Sequence, residues 1–150
     1  MNTPEFDIQP YVGALPIRFG LPRSEVPALL GLPAPAIRKK ADHFGSVRVA
    51  YYGTDSVVEI GFVPRGIILR FMGTELWNER TIADPVPLLL QHDPEPVESD
   101  GFLVFPVIGV TVTGFHDGDE SQRAVTVFRR GHWDEFLPAA TKPKLRKYRK

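Results

Sequence analysis

Cysteine is absent from all 150 residues. That excludes a disulfide framework, a thiolate metal centre and a thiol nucleophile. Long hydrophobic runs are missing as well: no stretch approaches the roughly 18 consecutive apolar residues that a helix needs to cross a bilayer. The opening MNTPEFDIQPYVG has no basic segment leading into an apolar one, so a secretory leader is not expected and the expected compartment is the cytosol. The motifs of common catalytic chemistries are lacking too. His43, His92, His116 and His132 never fall at the i, i+4 spacing of a zinc helix, and there is no HExxH. No serine lies in a GxSxG elbow, and Gly-Val-Thr-Val-Thr-Gly at 109–114 lacks the Gly-Lys-Ser/Thr ending of a phosphate-binding loop and reads as strand. No catalytic, cofactor-binding or metal-binding residue is therefore expected.

What is present is the composition of an ordinary globular protein, 43% hydrophobic and 24% charged. The length suits one domain with one core. The first dozen residues, polar and proline-containing, read as a surface arm, and Leu15 to Phe19 as a short strand. In GLPRSEVPALLGLP, Ser24 can cap a helix, Pro27 sits early enough for its missing N–H to cost little, and Gly31 can end it. From Val47 the period becomes two. VRVAYY (47–52), VVEIGFV (57–63) and IILRFM (67–72) read as an antiparallel meander, with connections too short for crossover helices.

The plan then recurs. Asp84-Pro85-Val86-Pro87-Leu88-Leu89-Leu90 matches Ser24-Glu25-Val26-Pro27-Ala28-Leu29-Leu30 at an offset of 60 residues, and AVTVFRRG (124–131) resembles VEIGFVPRG at an offset of about 65. Helix followed by strands in each half suggests duplication of a small αβ unit. The expected fold is α+β, an antiparallel sheet with two short helices on one face, possible half-repeats spanning 15–75 and 76–137. Residues 1–141 would form the domain and 142–150 a flexible basic tail.

The segment Ile17-Arg18-Phe19-Gly20-Leu21-Pro22-Arg23-Ser24-Glu25-Val26-Pro27-Ala28-Leu29-Leu30-Gly31-Leu32-Pro33 carries a resemblance. It is similar to the Phe-Gly-Met, Glu-Val, Gly-x-Pro openings of repeat units in the β-lactamase-inhibitor protein and outer-membrane-assembly lipoprotein group, and of small bacterial proteins that neutralise polymorphic toxins. Leu21 stands where methionine is usual, and Pro22 and Pro27 crowd the helix. The resemblance implies protein binding without catalysis, and the missing leader favours the cytosolic immunity branch over the exported one.

Charge and strand parity point the same way. Net charge is zero, but Lys142, Lys144, Arg146, Lys147, Arg149 and Lys150 fall in the last nine positions, leaving twelve basic against eighteen acidic residues, −6, over residues 1–141. Such a body suits a basic partner, whereas the tail, if it acts, suits nucleic acid. Alternation in VRVAYY puts Val47, Val49 and Tyr51 on one face and Arg48, Ala50 and Tyr52 on the other. Glu59, Arg70, Thr111, Thr113 and Thr126 also stand among apolar neighbours, and together these polar residues could line one sheet face. Asp117, Asp119 and Glu120 form an acidic turn without the full twelve-residue spacing of a calcium loop. Trp77 and Trp133, each beside charged residues, are expected to close core edges, with interface anchoring as the other use. The leading expectation is an immunity-type inhibitor that occludes a toxin or enzyme with its sheet face and acidic loops. The alternatives are a nucleic-acid-associated protein using the tail, a small hydrolase or metal protein built from His92, His116 and scattered acids, and a structural subunit.

Overall fold

A computed structural model describes residues 3–32 and 35–149. Thirteen strands and two short α-helices are named in chain order: β1 (Glu5–Gln9), β2 (Gly13–Leu15), β3 (Ile17–Arg18), α1 (Val26–Leu30), β4 (Ala36–Ile37), β5 (Ala41–Phe44), β6 (Val47–Ala50), β7 (Glu59–Phe62), β8 (Ile68–Phe71), β9 (Thr74–Trp77), α2 (Val86–His92), β10 (Val97–Ser99), β11 (Phe102–Phe105), β12 (Val110–Thr113) and β13 (Ala124–Phe128). They make two sheets, one ordered β3-β2-β1-β8-β9 and one ordered β10-β11-β12-β13-β7-β6-β5-β4. Every pairing of named strands is antiparallel except β1 with β8. The architecture is α+β and mostly antiparallel, as the turn spacing implies.

The core lies between the sheets. Val47 and Val49 of β6, Ile60 and Phe62 of β7, Val125 and Val127 of β13, and Val110 and Val112 of β12 alternate inward and are essentially sealed. Facing them are Phe6, Ile8, Leu69 and Phe71, with the rings of Phe6 and Phe62 5.0 Å apart. Helix α2 adds Val86 and Leu89, and Trp77 is buried beside Phe115 with its indole N–H donating to the Ala83 carbonyl. Asp84, just ahead of α2, accepts from the Val86 N–H at 3.0 Å, while Pro85 holds the N-cap position without a side-chain bond of its own. Ser24 does not cap α1: it lies inside a 3-10 turn, Arg23–Glu25, that enters the helix, while Gly31 ends it in the left-handed conformation as read.

Three expectations change. The N-terminal arm is a strand: Phe6 and Ile8 alternate with Glu5, Asp7 and Gln9, and β1 becomes the middle strand of the smaller sheet. The three-strand meander is divided, because Ile68–Phe71 leaves β7 and pairs parallel with β1 instead. The basic C-terminal segment is docked. Leu145 is buried, Lys147 Nζ donates to the Phe115 carbonyl at 2.7 Å, Arg149 donates to the Pro94 carbonyl at 2.6 Å, and the Tyr148 hydroxyl donates to Asp84. Leu145→Ala is expected to cost about 2 kcal/mol. Deletion of 142–150 should lower the denaturant midpoint at least as far, and an unchanged midpoint in both would mean that the segment contributes nothing.

The larger sheet consists of two four-stranded meanders, each preceded by a helix, that meet where β7 pairs with β13. There Thr126 lies opposite Gly61, so the two segments matched in the sequence are paired neighbours. The smaller sheet, drawn wholly from residues before α2, has no counterpart among the described residues of the second half.

Candidate functional site

The face of the larger sheet turned away from the core carries a depression of about 720 Å³. Its floor follows from register. Arg48 lies opposite Gly61, Gly61 opposite Thr126, and Thr126 opposite Thr111, and directly opposed residues share a face. Small side chains therefore occupy three adjacent strands in one row. Gly61 has no unusual backbone; what it supplies is space, since a Cβ there would sit 3.2 Å from Thr126 Oγ1.

Long side chains stand around this floor. One group is built on Glu59, which shares the Gly61 face two residues earlier and is only 9% exposed. Its Oε1 accepts from Arg48 Nη1 at 2.9 Å and from the Tyr52 hydroxyl at 3.1 Å, and Arg48 Nη2 donates to that hydroxyl at 3.1 Å. Oε2 lies 3.0 Å from His132 Nε2. An ionised carboxylate only accepts, so the contact places a proton on Nε2. Burial alone would push the Glu59 carboxyl up, yet its pKa is lowered. The hydrogen bond and charge offered by His132, then the Arg48 charge and the Tyr52 hydrogen bond, outweigh desolvation. Burial, followed by the Glu59 charge, raises the pKa of Tyr52 despite the nearby guanidinium. The Tyr52 ring packs on His132, with centroids 5.2 Å apart, and the Arg48 guanidinium lies 5.5 Å from the Tyr52 centroid.

The other group comes from the segment that leaves β13 and reaches the outer edge of β10, where Thr141 pairs with Glu98. It carries Trp133, whose ring meets Phe102 of β11 at 5.5 Å and Phe136 at 5.4 Å, both edge to face. Phe102 and Phe136 are 36% and 46% exposed, large for rings in an ordered cluster. Asp100, Glu135 and Ser99 complete that end, and Lys40 lies among the lining residues near β5 and β6.

Of the polar residues expected on the face, Arg48, Tyr52, Glu59, Thr111 and Thr126 line the depression. Thr113 lies on β12 outside the lining and donates to the Gln122 carbonyl at 2.6 Å. Arg70 belongs elsewhere: β8 carries it into the smaller sheet, where it pairs with Glu5 at 3.0 Å. Asp117, Asp119 and Glu120 form a self-contained turn apart from the depression. Asp117 accepts from the Asp119 N–H, Asp119 caps Ser121, and Glu120 meets Arg123 at 3.6 Å. His132, Trp133 and Phe136, which complete the site, lie in a segment without periodicity, and His132 meets Glu59 across 73 residues. Of the two tryptophans, Trp77 is core and Trp133 is site wall.

No cluster of three or more potential metal ligands occurs among the described residues. His92 packs its ring against Phe71, and His116 contacts Glu98 at 3.2 Å. Comparison with protein-family models, with curated proteins and with solved structures returns no match.

Proposed function

We propose that the chain is a protein-binding module whose docking surface is the outer face of the larger sheet, used as a bacterial, cytoplasmic immunity-type inhibitor uses such a face, to cover a toxin or enzyme. The observation that carries this reading is the combination, on one open sheet face, of a small-residue floor and side chains already held in place by one another. Both oxygens of Glu59 are occupied by protein donors. A carboxylate committed in this way favours positioning Arg48, Tyr52 and His132 over accepting a substrate proton, for which a general base needs a free lone pair within reach. Arg, Tyr and Trp fixed before binding are the residue types that anchor protein interfaces, because little side-chain entropy remains to be lost. The excess of acids over residues 1–141 suits a basic partner and would speed its approach. The docked C-terminal segment lends less to a nucleic-acid role, since Lys147 and Arg149 already donate to carbonyls of the body.

The test uses the protein encoded beside this chain as the candidate target. Wild-type chain should bind it in calorimetry, and Gly61→Leu, which fills the floor and presses on Thr126, should weaken binding about a hundredfold or more when measured at a temperature where the variant is folded. Undiminished binding by a folded Gly61→Leu variant would place the interface elsewhere. A neighbouring product that is harmless when expressed alone and does not bind would end the immunity reading.

A further inference from the structure

The depression is electrically uneven along its length. At the β6 and β7 end the Arg48 charge is answered by Glu59, which also holds His132, and Lys40 is the lysine of the lining. At the β10 and β11 end stand Asp100 and Glu135, neither in an ion pair among the described residues, beside Phe102, Trp133 and Phe136. Carboxylates together with aromatic faces offer a cation two kinds of attraction, from charge and from the ring quadrupole. Four strand spacings separate β11 from β6, about 19 Å at the usual ~4.8 Å per strand. That length corresponds to about six residues of extended chain, more than a single side chain or small metabolite would fill.

Building on the proposed docking role, we infer that the groove receives a segment of the partner protein laid across β6 to β11, and that a basic side chain of that segment, arginine above all, seats between Asp100 and Glu135 and the Trp133, Phe102 and Phe136 rings. Arginine fits better than lysine because its planar guanidinium can lie on an indole while forking to a carboxylate. The opposite end, with Lys40 and the paired Arg48, leaves room for an acidic or neutral neighbour in the same segment.

The full chain, isotope-labelled, is titrated with the blocked pentapeptide Gly-Ser-Arg-Ser-Gly and with counterparts in which citrulline or glutamate replaces the arginine. The arginine peptide should shift the Trp133 indole N–H resonance saturably at millimolar to tens of millimolar concentration. The citrulline peptide should bind about tenfold more weakly or worse, consistent with loss of one charge-assisted contact. The double variant Asp100→Asn/Glu135→Gln should erase that preference without altering the thermal transition. Equal binding of the citrulline peptide, stronger binding of the glutamate peptide, or no shift of Trp133 overturns the assignment. The docking role can survive that result. A target that still binds the Asp100→Asn/Glu135→Gln variant but not Gly61→Leu would keep the face as the interface and remove only the cation seat.

Discussion

Gly114→Ala should cost about 4 kcal/mol, most of the margin of a small domain, whereas Gly118→Ala, five residues from the Thr113 end of β12, should cost about 1 kcal/mol. Both glycines have positive φ, +80° and +77°. They differ in what a methyl group would meet. At Gly114 a Cβ would lie 2.3 Å from the Arg123 backbone nitrogen and 2.5 Å from the Gln122 carbonyl carbon. Those are main-chain atoms of the segment leading into β13, which cannot move aside without disturbing the β12–β13 pairing beneath the site. At Gly118 nothing lies within 4 Å, so only the left-handed backbone is penalised. Equilibrium denaturation of the two variants separates the terms. Equal losses would show that the close approach at Gly114 costs nothing and that backbone conformation alone matters.

Glu59→Gln should lower stability by about 3 kcal/mol near neutral pH, because it leaves a guanidinium and an imidazole that were arranged around a carboxylate. The figure stands at the low end for a buried pair. The Arg48 side chain is 35% exposed and that of His132 22%, so water partly takes the place of the lost charge. The pH dependence has a definite sign. The folded pKa of Glu59 lies below its unfolded value, so the charge stabilises fully above the unfolded carboxylate range, about 4.3, and the contribution is lost as pH falls from there through the depressed folded value. The gap between wild type and Glu59→Gln in denaturant unfolding should therefore persist at pH 5 and shrink as the pH falls below about 4. A gap of the same size at pH 7 and in strong acid would mean that shape, not charge, is what Glu59 contributes. The variant should also loosen Arg48 and His132 and so weaken target binding beyond its effect on folding.

Period-two alternation is a local property. It puts Arg48, Glu59, Thr111 and Thr126 on the outer face, since residues two apart on a strand must share a face, whereas Tyr52, which the same alternation over 47–52 assigns to that face, lies past the end of β6 in the left-handed region at φ 43° and reaches Glu59 from a turn. Arg70 obeys the same rule and lies in a different sheet, because parity says which side of a strand a residue occupies and nothing about which strands are neighbours. The choice made by β8 depends on β1, whose Phe6 and Ile8 supply inward apolar contacts from a segment that composition alone suggested was a surface arm. The capping readings divide in the same manner. Gly31 acts through its own left-handed dihedral, while Ser24 loses its role to a 3-10 turn tied into the loop before β7 by the Arg23 N–H to Asp55 carbonyl bond.

The sequence by itself therefore determined β6, β7, β12 and β13 of the larger sheet, its antiparallel character and part of its polar face, since pleat and turn chemistry act over distances of a few residues; β4, β5 and β10, short strands without a period-two run, appear only in the folded chain. Only the tertiary structure decided that this face is a depression with an aromatic and acidic end. Gly61, Thr126 and Thr111 come side by side only once β7, β13 and β12 are in register, and His132 reaches Glu59 only when the segment after β13 folds back across strands 73 residues away. Such long-range contacts are selected by burial of the shared core, which no local pattern encodes.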